Sequence, residues 1–303
     1  MQVLDPYVFG VLSAIAATIF FGVTNVVYLR MSEDISVLDI MFTRIWVSLP
    51  LAYVFAVGST GSLNIVVPVD AMFPLAVSMI IGIVIGDAMY FLSQERIGVS
   101  RAFPIAMSYP LLVYLLTAAF LGEPVILQRI LGAVATVVGV SLIARADQPE
   151  NAKERGRWSE RDKQVGFALA IFTALAWALS DAIFQFGLIS VGAAESNFFR
   201  MLVVSLILVP IFFISLRGNR KLPSGRTTGL ALVTGLVGVG FSLIAYSYAV
   251  KFVGATVTAV VIAAAPVFTA PLSAIYLGED VNRKVVIGTL LTIIGVFLVV
   301  FIF

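Results

Sequence analysis

Long apolar runs recur along the whole sequence and constrain the fold more than any other feature. Ten runs of about 20 mostly apolar residues lie at approximately 7–29, 37–57, 72–93, 100–121, 126–144, 166–188, 194–216, 227–249, 255–277 and 285–303. A helix of about 20 residues rises the roughly 30 Å needed to cross the hydrocarbon core of a bilayer. The runs are continuously apolar and lack the alternation of barrel strands. The sequence therefore predicts an all-α integral membrane protein with ten transmembrane helices.

Composition excludes several classes of function. Apolar residues make up 60% of the 303 residues and charged residues only 12%, which is more apolar surface than a soluble domain of this size buries. The chain has no Cys and no His, which removes disulfides, thiolate nucleophiles and the usual haem and zinc sites. We therefore expect no cofactor, no metal site and no catalytic residues. No basic patch with interleaved aromatic residues is present, so we also expect no nucleic-acid partner.

The tripeptide Leu-Gly-Glu occurs at 121–123 and again at 277–279, and it marks an internal repeat. A shift of 156 residues aligns the two copies together with many structurally demanding residues, without a gap. The aligned pairs are Gly10 with Gly166, Arg44 with Arg200, Gly82 with Gly238, Tyr90 with Tyr246, Gly98 with Gly254, Pro110 with Pro266, Gly132 with Gly288 and Gly139 with Gly295. Their common register favours duplication over chance similarity between apolar helices. We predict a first five-helix repeat over 1–145, a polar linker over 146–165 and a second five-helix repeat over 166–303.

An odd number of helices in each repeat inverts the second repeat relative to the first. Inverted repeats are typical of transporters whose binding site lies between the halves near the bilayer midplane. Loops after the odd-numbered helices carry 15 Lys and Arg residues, whereas the other side carries only Arg129 and Lys251. The positive-inside rule then predicts that the polar linker lies on the cytoplasmic side of the cytoplasmic membrane and that both termini lie on its outer side.

Several short motifs occur in the same order in both repeats. They are FFGVTN at 20–25 and AWALSD at 176–181, FTR and FFR ending at Arg44 and Arg200, a proline in each fourth helix, Leu-Gly-Glu at its end, and a fifth helix with Gly-Val. This ordered set resembles the drug/metabolite transporter superfamily and, within it, the EamA-like ten-helix exporters. The resemblance covers nearly the whole chain. It implies a basket of helices around a central cavity that moves small metabolites such as amino acids, often outward.

Two features depart from that family pattern. Family members commonly have both termini inside, whereas the charge bias here predicts the reverse. In the small multidrug relatives a glutamate of the first helix binds protons, but no acidic residue stands near Ile19 or Leu175 in this chain.

Four charged residues stand out because they lie well inside the apolar runs, away from the ends, where a charge needs a partner or a wet cavity. Asp87 and Asp181 lie about fifteen residues into their runs, too deep for short side chains to reach the interface. Arg44 and Arg200 lie less deep and have side chains long enough to reach it. Tracing helix directions puts Arg44 with Asp87 in one half of the bilayer and Arg200 with Asp181 in the other. We predict two compensating charge pairs that form and break as access alternates.

Other polar and aromatic residues in the runs are candidates for the transport pathway. They are Asn25, Tyr90, Ser108, Tyr109, Gln185, Tyr246 and Tyr248, which together suit a zwitterion or an aromatic ring. Pro110 and Pro266 are predicted hinges, because proline removes a backbone donor and clashes with the preceding turn.

The sequence predicts a secondary transporter and leaves two alternatives open. The transporter would move amino acids or similar solutes, and Asp87 and Asp181 are the candidates for proton coupling. A monomer suffices, because one chain holds both repeats. The first alternative is an intramembrane aspartyl-type enzyme that uses the same two aspartates as a dyad. The second is a membrane scaffold or receptor without transport, although few residues lie outside the apolar runs.

Overall fold

The polypeptide is almost entirely helical. The computed structural model describes residues 5–31, 37–97, 99–146, 159–215, 224–268 and 283–301, and these ranges contain no β-strand. The predicted all-α fold is confirmed. Each backbone N–H and C=O that enters lipid must be satisfied within the protein, and helices satisfy this requirement locally.

Seven α-helices form the first half of the chain. They are α1 Pro6–Met31, α2 Val37–Thr60, α3 Val69–Met79, α4 Ala88–Ile97, α5 Val99–Ala106, α6 Tyr109–Leu121 and α7 Leu127–Ala146. A π-helical segment, Ile80–Asp87, joins α3 to α4. The Asp5 carboxylate accepts a 2.8 Å hydrogen bond from the backbone N–H of Tyr7, which caps the start of α1.

Five further α-helices are described in the second half. They are α8 Glu160–Gly187, α9 Ala193–Ser215, α10 Gly225–Gly235, α11 Ser242–Ala263 and α12 Arg283–Val300. The π-helical segment Leu236–Phe241 joins α10 to α11, and a short helical stretch covers 265–268. The Ser224 side chain accepts from the backbone N–H of Thr227 and caps α10. The second Leu-Gly-Glu copy, at 277–279, lies outside the described residues.

Within the described ranges, nine spans are long and apolar enough to cross a membrane. One of them, Thr227–Ala263, is 37 residues long and contains both the eighth predicted helix and the start of the ninth. No loop separates these two helices. The helical backbone is interrupted at a single residue, Gly254, which has φ 81° and ψ 166°. Only glycine adopts this backbone region readily, so one residue separates two helices where the sequence suggested a short connection.

The two π-helical segments lie at positions related by the repeat. Ile80 and Leu236 begin them, and these residues are 156 positions apart. A Cβ on Gly82 would lie 2.5 Å from the Ser180 hydroxyl oxygen, and a Cβ on Gly238 would clash with the Thr24 hydroxyl. Ser180 and Thr24 are themselves related by the 156-residue shift. The repeat is therefore visible in backbone form and in contacts as well as in sequence.

The fifth helices of the two repeats, α7 and α12, pack closely along shared glycines. A Cβ on Gly132 would lie 2.7 Å from the Gly295 carbonyl oxygen, and a Cβ on Gly139 would lie 2.6 Å from that of Gly288. Small residues permit this close approach of two backbones. Because the earlier glycine of α7 meets the later glycine of α12, the two helices run antiparallel, as an inverted repeat requires.

Both fourth helices break immediately before their proline. Ser108 N donates to Ile105 O at 3.1 Å, and Leu111 N donates to Ser108 O at 3.2 Å. The equivalent bonds in the second repeat run from Ala264 N to Val261 O at 3.2 Å and from Val267 N to Ala264 O at 2.9 Å. These are the tighter three-residue hydrogen bonds of a 3₁₀ turn. Pro110 therefore stands in the first turn of α6 and Pro266 in the short stretch 265–268, each just after a break in its helix.

The chain divides into two compact units, and each draws on both halves of the sequence. Unit 1 comprises Met1–Met79 and Ile183–Gly254, and unit 2 comprises Ile80–Ala182 and Ala255–Phe303. In unit 1 the second helices, α2 and α9, pack antiparallel: the Phe42 and Phe212 rings stack with centroids 3.8 Å apart. Farther along, Tyr53 meets Phe198 at 5.3 Å. Unit 2 contains the α7–α12 pair.

Candidate functional site

A tryptophan of α8 organises the polar interior of unit 2. The Trp177 indole N–H donates a 3.0 Å hydrogen bond to the Asp87 carboxylate. Its ring meets the Tyr90 ring at 5.2 Å and the Tyr109 ring, edge to face, at 5.8 Å. One side chain thus gathers an acidic residue and two phenols that the sequence analysis selected separately. We call Asp87, Tyr90, Tyr109 and Trp177, together with Asp181, the Trp177 cluster.

Each member of the Trp177 cluster is positioned by a feature of the backbone. Asp87 is the last residue of the first π-helical segment, and Tyr90 follows in the first turn of α4. A Cβ on Gly86 would lie 2.8 Å from the indole ring, so glycine is needed there for Trp177 to fit. Tyr109 begins α6 directly after the break, and its hydroxyl donates to the Ala259 carbonyl at 3.3 Å.

Asp181 belongs to the same cluster through its place on α8. It follows Trp177 by four residues, which puts both side chains on one face of the helix. Its side chain is 9% exposed. The tracing by depth placed Asp87 and Asp181 in opposite halves of the bilayer. In unit 2, Asp87 accepts from the Trp177 indole, and Asp181 lies one helical turn after Trp177 on α8.

Unit 1 holds a second charged feature, around Arg200 of α9. The Arg200 guanidinium carbon lies 3.7 Å from the centroid of the Phe184 ring and 5.9 Å from that of Tyr246. The two rings stack at 5.5 Å. A cation over an aromatic face is stabilised by the ring quadrupole. Arg200 and Tyr246 are both buried, at 4% and 7% exposure.

Asn197 lies one helical turn before Arg200 and is 1% exposed. Its side-chain oxygen has no hydrogen-bond partner among the residues that the structure describes. Buried polar atoms without partners are rare in native proteins. This oxygen is therefore an available acceptor on the same face of α9 as the guanidinium.

The remaining predicted site residues are more scattered. Arg44 is half-buried on α2 and packs against Gly235 in unit 1. Ser108 donates to Ile105 O at 2.7 Å in the α5–α6 break, and Gln185 is half-buried near the end of α8. Tyr248 contacts Phe9 at 5.6 Å and Phe252 at 6.4 Å, away from Tyr246. Asn25 lies on α1, and its side chain is outside the described residues.

The predicted pairs Arg44–Asp87 and Arg200–Asp181 stay predictions. In each pair the arginine belongs to unit 1 and the aspartate to unit 2. In the described contacts, Arg200 lies against the rings of Phe184 and Tyr246 within unit 1, and Asp87 bonds the Trp177 indole within unit 2.

Comparison with known proteins decides the family. The model of the EamA-like transporter family matches residues 8–145 and 164–301. The chain belongs to this family. The two matched segments cover nearly the whole chain, and the family is a transporter family, so this protein is a multi-pass membrane transporter.

Individual relatives agree with the EamA-like assignment. A protein of Archaeoglobus fulgidus named as an uncharacterized transporter is 23% identical over 300 residues, covering 95% of this chain and 96% of the relative. A solved structure titled only as the crystal structure of a protein has a TM-score of 0.78 at 16% identity, covering 95% of each chain. At that identity the likeness shows a shared fold and nothing more.

Sequence reasoning missed two residues of this EamA-like transporter that the structure brings forward. Trp177 lies within the AWALSD motif, but an aromatic residue in an apolar helix usually faces lipid or core, so the motif alone does not single it out. Phe184 is fully buried and was likewise inconspicuous. A usable signal existed for Trp177: it stands four residues before an intramembrane aspartate, so both share one helix face.

Proposed function

We propose that this transporter moves amino acids or similar small zwitterionic metabolites out of the cell, across the cytoplasmic membrane, by alternating access. The observation that carries the proposal is the Trp177 cluster, in which an intramembrane carboxylate accepts an indole hydrogen bond at 3.0 Å. Ionisable residues at membrane depth mark substrate or ion pathways, because their insertion is otherwise unfavourable.

The chemistry of unit 2 suits a positively charged group. Aromatic faces attract ammonium groups, and a nearby carboxylate adds charge attraction. Asp87 supplies a carboxylate that bonds the Trp177 indole beside the rings of Tyr90 and Tyr109, and Asp181 supplies a second carboxylate one helical turn along α8.

The chemistry of unit 1 suits a negatively charged group. The Arg200 guanidinium presents donors in a planar fork that matches a carboxylate, and its face lies against Phe184. The Asn197 oxygen adds an acceptor for an N–H of the solute. The EamA-like resemblance implies small metabolites such as amino acids, and we select this substrate class because its ammonium group suits the Trp177 cluster.

The antiparallel α7–α12 pair supports the alternating-access part of the proposal. Inverted repeats give a transporter two related conformations in which the halves exchange roles. One chain contains both repeats, so the monomer is the proposed working unit.

The proposal is tested by solute exchange across liposomes that contain the purified protein. Vesicles loaded with an unlabelled amino-acid mixture are placed in a labelled mixture, and uptake of each solute is compared with that in protein-free vesicles. We expect selective exchange of at least one zwitterionic solute. Exchange restricted to solutes that lack an ammonium group would contradict the assigned substrate class.

Proton coupling is predicted to depend on the two aspartates. Asp87→Asn and Asp181→Asn retain side-chain shape and an acceptor oxygen but remove the titratable group. We expect exchange to continue within about tenfold of the wild-type rate, while accumulation driven by a pH gradient is lost in at least one variant. Measurement of accumulation with and without the gradient decides this. Wild-type pH dependence in both variants would exclude the aspartates as proton carriers.

A further inference from the structure

The part of α11 that follows Gly254 is a short helix with an interruption at each end. Gly254, at φ 81° and ψ 166°, precedes it, and the three-residue turn at Ala264 follows it. We call residues 255–263 the bridging helix. Seven of its residues, Ala255, Thr256, Val257, Thr258, Ala259, Val260 and Val261, are at most 3% exposed. The bridging helix is thus a buried element with two built-in points of bending.

Side chains of α6, and Glu123 just after α6, hold the bridging helix at its Gly254 end and at its middle. At the Gly254 end, the Thr256 hydroxyl donates a 2.7 Å hydrogen bond to the Glu123 carboxylate. The Thr117 hydroxyl donates to the same carboxylate oxygen at 3.0 Å and lies 2.9 Å from the Thr256 hydroxyl. Farther along, the Tyr109 hydroxyl donates to Ala259 O at 3.3 Å.

The Glu123 end is the stronger attachment. A carboxylate that accepts two hydroxyl donors makes charge-assisted hydrogen bonds, which are shorter and stronger than neutral ones. Gly122 takes a left-handed conformation, φ 70° and ψ 23°, at the end of α6. This turn directs Glu123 back over the last turn of α6, where Thr117 lies.

The sequence keeps the same chemistry at the repeat-related positions. Thr117 and Glu123 correspond to Ser273 and Glu279, which lie 156 residues later. Thr256 corresponds to Ser100, which lies 156 residues earlier. Both copies therefore contain a carboxylate and two hydroxyls, although the side chains of the second set lie outside the described residues.

We propose that Glu123 is a latch that holds the bridging helix against α6, and that its release is a step of the transport cycle. When the latch opens, the bridging helix moves away from α6 about Gly254 and Ala264. The transport part of this inference rests on the proposed function, whereas the latch itself is a property of unit 2 that is measurable without any solute.

The test uses a thiol at the centre of the bridging helix. The chain has no cysteine, so Val260→Cys introduces a unique probe at a position that is 0% exposed. The rate of modification by a small water-soluble maleimide then reports how often the bridging helix opens. In this background we compare Thr256→Val, Glu123→Ala, the conservative Thr256→Ser and the control Thr173→Val. Thr173 is equally buried, and among the residues that the structure describes its hydroxyl bonds only the carbonyl of Leu169 in its own helix.

We expect Thr256→Val and Glu123→Ala each to raise the modification rate by at least about tenfold, the effect of losing a hydrogen bond to a charged group. Thr256→Ser and Thr173→Val keep the parental rate. Rates within about twofold of the parent in both Thr256→Val and Glu123→Ala would overturn the latch. An equal rise in Thr173→Val would overturn it too, because the cause would then be general loosening.

Failure of the latch is distinguishable from failure of the proposed function. Labelling is measured without solute, so the expected labelling pattern together with no solute exchange leaves the latch standing and rejects amino-acid transport. Solute exchange together with unchanged labelling rejects the latch alone. Glu123 is half-buried at a helix end, so Glu123→Ala keeps the test valid if Thr256→Val fails to fold.

Discussion

Replacing Gly139 by alanine is expected to lower the melting temperature of the purified protein by about 5–10 °C, which corresponds to about 3 kcal/mol for a domain of this size. A Cβ at this position would lie 2.6 Å from the Gly288 carbonyl oxygen and 2.7 Å from the Thr292 backbone nitrogen. Both are backbone atoms of α12, so only separation of the two helices relieves the overlap. The measurement is a thermal unfolding curve in detergent, followed by size exclusion to detect loss of the folded form.

Gly58→Ala is the matched control for this prediction. Gly58 lies on membrane helix α2, and a Cβ added to it would meet no described atom within 4 Å. Alanine is the better helix former, so Gly58→Ala is expected to leave the melting temperature unchanged or slightly higher. The reciprocal variant Gly288→Ala should behave like Gly139→Ala, because its Cβ would lie 2.6 Å from the Gly139 carbonyl oxygen. Equal stability of Gly139→Ala and Gly58→Ala would contradict the close α7–α12 contact.

Replacing Trp177 by phenylalanine is expected to reduce the initial rate of solute exchange by about tenfold to a hundredfold. Phenylalanine keeps an aromatic ring beside Tyr90 and Tyr109 but removes the N–H that donates to Asp87. A hydrogen bond to a charged group contributes about 1.5–3 kcal/mol, and 1.4 kcal/mol corresponds to a factor of ten. Exchange is measured in liposomes at matched protein content and orientation.

Trp46→Phe is the control for the Trp177 variant. Trp46 is 43% exposed on α2 and contacts the ring of Phe42. Its replacement makes the same chemical change outside the Trp177 cluster, so we expect exchange to stay within about twofold of wild type. If Trp177→Phe exchanges solute as fast as Trp46→Phe, the indole hydrogen bond has no part in transport.

The sequence was most informative where geometry restricts the residue type. Crossing a bilayer requires about 20 apolar residues in a helix, so the helical spans were predictable from apolar runs alone. Close backbone contact requires a small residue, and the repeated Gly132, Gly139, Gly288 and Gly295 lie where α7 and α12 meet. Proline removes a backbone donor, and both fourth helices indeed break just before Pro110 and Pro266.

The sequence was less informative where a helix has no polar face to orient it. A soluble helix shows which side is buried through alternation of apolar and polar residues, but a helix in lipid is apolar all round. The contacts of Trp177 and Phe184 could not be read from periodicity for that reason. The π-helical segments were also missed, because no composition marks them in the sequence. In the structure their glycines, Gly82 and Gly238, pack against the hydroxyls of Ser180 and Thr24.

Residue depth was a weak guide to proximity. Counting residues from the helix ends placed Asp87 and Asp181 in opposite halves of the bilayer, and it could not show that Trp177, one helical turn before Asp181, donates to Asp87. Counting also gives no information on which helices are neighbours. The interleaving of the two halves within each unit therefore became visible only in the structure.

The central claim is that the transported solute binds at the Trp177 cluster, and the fluorescence of Trp177 tests it most directly. The chain has three tryptophans, so Trp46→Phe combined with Trp158→Phe leaves Trp177 as the only reporter. A solute found by exchange is titrated while Trp177 emission and its quenching by acrylamide are recorded. We predict a saturable change whose half-saturation matches that of exchange. A solute that exchanges but leaves both the emission and the quenching of Trp177 unchanged would contradict the account.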